Sequence, residues 1–143
     1  MTATGTTAVL EKTVGEIMST DLVTLKLTDT LRLADDMMNL AQVRHFPVLD
    51  GDKLIGIVNQ IDLLHASMAS LVQHPKDAPR QILGAIAIKD VMKPVTPVTQ
   101  ETTLHDAARA MVQSEIECLL VANGDKLVGL VTRTDLLREL SKR

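Results

Sequence analysis

Hydrophobic positions along the chain follow two periods, and the changes between them divide it into short elements. Apolar residues fall three or four positions apart over Leu31–Ala41, with charged residues between them, which predicts a helix with one buried face. Two apolar runs, Phe46–Leu49 and Leu54–Val58, flank Asp50-Gly51, a pair typical of a hairpin turn. A second helix is expected from Asn59 to about Met68. The pattern therefore predicts a helix, a β-hairpin and another helix.

The same order of elements recurs 73 positions later. Sliding the chain by 73 aligns Leu31–Leu64 with Leu104–Leu137, and 13 of those 34 positions are identical. A short extended segment precedes each copy, at Leu22–Leu25 and at Val95–Val98. An internal repeat fixes the architecture before any single element does. The sequence therefore predicts an α+β fold made of two β-α-β-β-α repeats.

The expected repeats lie at residues 8–68 and 86–143, with a linker at 69–85 that holds prolines and polar residues. A unit of this size is marginally stable alone, because it buries little surface. We therefore expect the two copies to pack on each other. Hydrophobic residues make up 45% of the chain and aromatic residues 1%, so the core is predicted to consist of Leu, Ile, Val, Ala and Met.

Charge and composition narrow the function classes. A formal charge of −3 and few aromatic residues argue against a nucleic-acid partner. Apolar runs stay well below the length of a membrane span, and the N-terminus lacks the pattern of a signal peptide. The single cysteine, Cys118, fits a reducing compartment. These observations predict a soluble, cytoplasmic protein without a membrane partner.

Motifs of catalysis and metal binding are missing from the sequence. The four histidines and Cys118 do not fall at metal-ligand spacings. We find neither a Walker-type glycine loop nor a nucleophile elbow. We therefore predict no metal site, no required cofactor and no enzyme activity. Basic residues near the C-terminus are interpreted as a helix-end preference, and they are Arg133, Arg138, Lys142 and Arg143.

Thr132 and Asp135 allow two interpretations. A threonine followed three residues later by an acidic residue is typical of a capping box at the start of a helix. The same pair could instead bind a ligand, with the carboxylate accepting hydrogen bonds and the helix start facing an anion. The first copy has Asn59 and Asp62 at the corresponding positions, so it keeps the carboxylate and replaces the hydroxyl by an amide.

Several motifs fall twice in the same order, and together they resemble the CBS domain, named after cystathionine β-synthase. They are Ile17-Met18, Phe46-Pro47-Val48-Leu49-Asp50 and Gly56-Ile57-Val58 with Asp62-Leu63-Leu64, then Val91-Met92, Leu119-Leu120-Val121 and Gly129-Leu130-Val131-Thr132 with Asp135-Leu136-Leu137. The resemblance implies a stand-alone tandem pair, or Bateman module, whose two sheets pack face to face with pseudo-two-fold symmetry. It also implies a homodimer.

The same resemblance implies a regulatory function. Such pairs bind adenosine-containing ligands, here AMP, ADP, ATP or S-adenosylmethionine, in clefts between the copies, and the regulated effector protein is expected in trans. The alternative is a structural dimerisation module without a physiological nucleotide. Thermal melting with these ligands separates the two.

The resemblance also implies roles for individual residues. Asp135 would accept the ribose hydroxyls, while Thr132 and free helix N–H groups would face the phosphate, with Arg133 beside them. The other residues expected at the two sites are Leu130, Met18, Asp21, Val23 and Val43 for the Asp135 site, Asn59, Asp62, Met92, Thr96 and Ile116 for the Asp62 site, and Arg44 and His45 for phosphate contacts. Without the resemblance, the valines are interpreted as sheet core and Arg44-His45 as a solvated loop pair.

Overall fold

The computed structural model describes residues 8–73, 76 and 79–142 and has a mixed α+β fold with two small sheets. Residues 8–11 are helical. The elements that follow, in chain order, are α1 (Val14–Ile17), β1 (Leu25–Lys26), α2 (Leu31–Ala41), β2 (His45–Asp50), β3 (Lys53–Asn59), α3 (Gln60–Gln73), α4 (Pro79–Gly84), a 3₁₀ turn (Ile88–Asp90), α5 (Leu104–Ser114), β4 (Cys118–Asn123), β5 (Lys126–Thr132) and α6 (Arg133–Ser141).

The chain divides into two compact units. One unit combines the chain up to Leu22 with the chain from Thr96 onward, and the other is Val23–Val95. The short segment before β1 thus belongs with the second hairpin, and the 3₁₀ turn belongs with the first. The repeat boundaries expected from the sequence stay a prediction.

The unit Val23–Val95 is built on a three-stranded sheet. Strand β1 pairs in parallel with β2, and β2 pairs antiparallel with β3. Helix α2 turns its apolar positions inward, as its spacing predicts. The core of this unit includes the chain's one aromatic residue, and its buried members are Leu25, Leu31, Ala34, Met38, Phe46, Val48, Val58, Leu63, Leu83 and Ile88.

The second unit has a two-stranded sheet, β4 with β5, over a core without aromatic residues. The extended segment predicted at Val95–Val98 pairs here through one parallel bridge, between Val98 and Val121, and is shorter than the repeat pattern predicts. Pro94 and Pro97 explain this difference, since proline has no N–H to donate to a ladder. The buried core members are Val14, Leu104, Ala107, Met111, Leu119, Val121, Val131 and Leu136.

Both hairpin turns use glycine in the left-handed region. Gly51 and Gly124 each have a φ of 62°, which a residue without a Cβ adopts at little cost. The turn prediction is confirmed at both places.

The segment between the copies is more helical than expected. Helix α3 continues to Gln73 instead of ending near Met68, and α4 lies inside the predicted linker. Positions 74, 75, 77 and 78 of that linker lie outside the described residues. Of the helices that the structure describes, none is long and apolar enough to cross a membrane.

A methionine packs on a glycine at the same place in each unit. Met18 lies against Gly129, and Met92 lies against Gly56. A Cβ on either glycine would clash with the methionine sulfur or with neighbouring atoms. The methionine comes from one sequence copy and the glycine from the other, so each hairpin is completed by a segment of the opposite copy.

Candidate ligand-binding site

Thr132 and Asp135 form a complete capping box at the start of α6. The Thr132 N–H donates to Oδ2 of Asp135 at 2.8 Å, and the Asp135 N–H donates to Oγ1 of Thr132 at 3.1 Å. This geometry satisfies two N–H groups that a helix start otherwise leaves without partners. The side chain of Asp135 is still partly exposed, and its Oδ1 lies 3.3 Å from Nη1 of Arg138. The interpretation of this pair as a capping box is therefore correct, and the cap leaves the Asp135 carboxylate partly accessible.

The expectation that free helix N–H groups face a phosphate is partly wrong. The Arg133 N–H donates to the carbonyl of Glu117 at 2.8 Å, and the Asp135 N–H is taken by Thr132. The Arg133 side chain pairs with the carboxylate of Glu117 at 3.1 Å on the surface. Strand β5 runs directly into α6, and Cys118 at the start of β4 pairs with Thr132 at the end of β5. Glu117 therefore lies beside the start of α6 and occupies its first N–H group.

A cavity of about 420 Å³ opens beside Asp135. Three cations and three carboxylates line it together with one apolar side chain, and these residues are Lys12, Glu16, Ile17, Asp135, Arg138, Glu139 and Lys142. Only Asp135 among them is a predicted site residue. Two other cavity residues, Arg138 and Lys142, belong to the basic cluster near the C-terminus, which the sequence explains equally well as a helix-end preference.

Glu139 is the buried acid of this cavity. Its carboxylate accepts from Nζ of Lys12 at 2.8 Å and lies 3.0 Å from Nζ of Lys142. Hydrogen bonds from Lys12 first and Lys142 second hold the pKa of Glu139 below its usual range. The same contact raises the pKa of Lys12. The Glu139 carboxylate and the Lys12 ammonium are thus both charged at neutral pH.

The corresponding position in the first copy is arranged differently. The Asn59 N–H donates to Oδ2 of Asp62 at 2.9 Å, so half of the box is retained. The amide oxygen of Asn59 lies 2.9 Å from Nδ1 of His45, its partner across the hairpin. The Gln60 N–H donates to the Arg44 carbonyl at 3.0 Å. Nζ of Lys93 lies 2.9 Å from Oδ1 of Asp62, and the carboxylate is buried.

The remaining predicted residues are divided between the units. Met18, Asp21, Leu130, Thr96 and Ile116 belong to the unit that contains Asp135. Leu130 is buried and Met18 packs on Gly129, whereas the other three are exposed.

Val23, Val43 and the exposed Arg44 belong to the unit of Asp62. Val23 and Val43 also pack against the core of that unit, as the interpretation as sheet core expects. The roles of these three residues at a ligand site stay predictions, as do those of Met18, Asp21, Leu130, Thr96 and Ile116.

Cys118 is a core residue of β4. It is buried, and burial together with the nearby Glu117 charge raises the pKa of its thiol to about 11. A thiol with this pKa is almost wholly protonated at neutral pH and is a poor nucleophile.

Comparison with known proteins identifies the family. The model of the CBS domain matches residues 14–69 and 88–142. The chain therefore belongs to the CBS domain family, and it carries a tandem pair of these domains.

Relatives of known sequence include both short and long proteins. A CBS domain-containing protein of Dictyostelium discoideum is 32% identical over 133 residues, which cover 90% of this chain and 91% of that protein. The chain spans only 13% of an A-adding tRNA nucleotidyltransferase of Geobacter sulfurreducens, to which it is 29% identical over 89% of its own length. It spans 24% of a homoserine O-acetyltransferase of Methanobrevibacter ruminantium, at 33% identity over 91% of its length.

Solved structures share the fold over nearly the whole chain. A putative acetoin utilization protein of Vibrio cholerae is 33% identical with a TM-score of 0.74, and the match covers 90% of both chains. CBSX2, solved in complex with AMP, is 27% identical with a TM-score of 0.74, and the match covers 90% of this chain and 96% of that one.

Proposed function

We propose that the chain is a non-enzymatic regulatory module that binds an adenosine-containing ligand through Asp135. The observation that carries this proposal is the partly exposed carboxylate of Asp135 at the wall of a cavity. A carboxylate accepts hydrogen bonds from both hydroxyls of a ribose, and charge strengthens those bonds. The AMP complex of CBSX2 supports this choice of ligand. AMP, ADP, ATP and S-adenosylmethionine are the candidates.

A regulatory role is supported by where similar segments occur. The chain matches small parts of a nucleotidyltransferase and of an acetyltransferase, two enzymes that catalyse different reactions. A segment common to both supports a shared accessory role better than a shared reaction. In the proposal, ligand binding alters a homodimer of this chain, and the dimer acts on an effector protein in trans.

The alternative function is a structural dimerisation module. The complete capping box favours it, because Thr132 and Asp135 already have a structural role without any ligand. The two functions differ in what the Asp135 carboxylate does beyond the cap.

Thermal melting with AMP, ADP, ATP, S-adenosylmethionine and NAD tests the proposal. A ligand at a hundred times its Kd stabilises the folded state by about 2.7 kcal/mol. For a chain of this size the melting temperature should rise on the order of 10 °C. Asp135→Asn should lose most of this shift, because the amide still accepts from the Thr132 N–H but no longer carries the charge that favours the ribose hydroxyls.

A matched control lies on α5. Thr103 caps that helix by accepting from the Asp106 N–H at 3.2 Å, so the pair repeats the Thr-x-x-Asp spacing away from the cavity. Asp106→Asn should leave the ligand-induced shift unchanged. The structural alternative holds instead if none of the five compounds shifts the wild type at millimolar concentration, or if Asp135→Asn responds as the wild type does.

A further inference from the structure

The two capping carboxylates differ in the cation that each one meets. Oδ1 of Asp62 lies 2.9 Å from Nζ of Lys93, and the Asp62 side chain is 5% exposed. Asp135 meets Arg138 at 3.3 Å, and its side chain is 18% exposed. Arg138 lies one turn further along the same helix, whereas Lys93 arrives from the opposite sequence copy.

Two hydrogen bonds fix the main chain of Lys93 at this place, and its side chain, which is 62% exposed, reaches Asp62 from there. The Lys93 N–H donates to the Ile57 carbonyl at 2.9 Å, and the Lys93 carbonyl accepts from the Ile57 N–H at 3.0 Å. The equivalent bridge in the other unit joins Ser19 to Leu130, with both hydrogen bonds present at 2.9 and 3.0 Å. Ser19 and Lys93 therefore occupy equivalent positions, and one carries a neutral hydroxyl where the other carries an ammonium.

The polar groups around Asp62 are satisfied within their own unit. Oδ2 accepts from the Asn59 N–H, Oδ1 accepts from Lys93, and the Asn59 amide oxygen faces His45. A ribose hydroxyl would have to replace the ammonium on Oδ1. The ammonium contact on Asp62 is charge-assisted on both sides, and it is shorter and more buried than the contact of Arg138 with Asp135, so a neutral hydroxyl is less able to replace it.

We infer that Lys93 closes the Asp62 position to a ribose and makes the chain a single-site binder that uses Asp135. This inference rests on the proposed function, because it takes Asp135 as the ribose acceptor. The serine at the position of Lys93 leaves the Asp135 carboxylate without an ammonium fixed in this way. Lys93 is thus a specificity-determining residue that separates two otherwise equivalent sites.

Isothermal titration with AMP measures the number of sites. The wild type should bind one AMP per chain, and Lys93→Ser should bind two. The exchange in the other direction, Ser19→Lys, should weaken or remove the wild-type site. Lys89→Ser removes an exposed lysine of the same unit and should leave the stoichiometry at one.

A second arm needs no ligand. A double-mutant cycle of Lys93→Met and Asp62→Asn, read by melting temperature, should show that the two changes are not additive, since they break one contact. Additive effects would show that Lys93 does not hold the carboxylate and would overturn the inference.

The outcomes separate this inference from the proposed function. The closure by Lys93 is overturned, and the proposed function stands, if the wild type binds two AMP molecules. The same holds if Lys93→Ser binds AMP more weakly and gains no site. If the wild type binds none of the five compounds of the melting series and Lys93→Ser gains one site, the closure is supported and the proposed role of Asp135 fails. If neither protein binds any of the five, both are overturned.

Discussion

At the scale of single residues, Glu139 shows how burial and charge act together. Its carboxylate is buried yet holds two lysines, Lys12 and Lys142, from the two ends of the chain. Its folded-state pKa is lowered, so it stabilises the folded state above the ordinary pKa of a glutamate. That contribution disappears as the pH falls through the lowered value. The raised pKa of Lys12 means that the contact persists up to alkaline pH.

We therefore expect Glu139→Gln to lower the melting temperature most between about pH 6 and 8. The difference in melting temperature from the wild type should shrink as the pH falls below about 4.3, because protonation of Glu139 then makes the wild-type side chain neutral, as the glutamine is. Melting curves measured across this range check the prediction. Glu101→Gln, at an exposed position, is the control and should change little at any pH. A difference that does not depend on pH would show that shape, not charge, makes Glu139 important.

At the scale of elements, the contact of Met18 with Gly129 holds α1 against β5. We expect Gly129→Ala to destabilise the fold by about 1–3 kcal/mol, because the added Cβ overlaps the methionine side chain. Met18→Ala makes room, so the double variant should be more stable than the sum of the two single changes predicts. Urea denaturation of the four proteins measures this coupling. Purely additive losses would place the cost of the alanine in the backbone of β5.

The hairpins and the α2 and α5 helices could be predicted from the sequence because their signals are local. Asn123-Gly124 sets a turn by its own conformational preference, and the spacing over Leu31–Ala41 fixes a buried face. The extended segment at Val95–Val98 pairs through a single bridge because Pro94 and Pro97 lack N–H groups, which the pattern of apolar residues does not take into account. Helix α3 exceeded its predicted end because the residues after Met68, up to Gln73, include no glycine or proline that would end it.

The candidate site could be predicted only in part, for a related reason. The pair Thr132 and Asp135 was found because it lies within four residues. The contacts of Lys12 with Glu139 and of Lys93 with Asp62 join residues far apart in the chain. They arise because each hairpin packs with a segment of the opposite sequence copy. The spacing of residues within one motif does not show which distant segment packs against it.

At the scale of the whole molecule, exposed apolar positions are concentrated on α3. Its exposed large apolar side chains are Ile61, Leu64, Met68, Leu71 and Val72. The charged residue of this helix, Asp62, is buried against Lys93. On α2, Met38 is not available for an interface, because it belongs to the core. The exposed face of α3 is therefore mostly apolar; it contains the exposed His65 but no exposed acidic, lysine or arginine side chain.

We expect this chain to form a homodimer in which α3 contributes to the interface. A symmetric interface places the same surface on both subunits, so a mostly apolar face without acidic, lysine or arginine side chains can pack against its own copy. Light scattering at tens of micromolar should give about twice the mass of one chain, and Leu64→Glu should shift the protein to monomers because it buries a charge at the contact. Leu40→Glu, on the exposed part of α2, is the matched control and should leave the dimer intact. A stable wild-type monomer would contradict the dimer, and a dimer that survives Leu64→Glu but not Leu40→Glu would place the interface on α2.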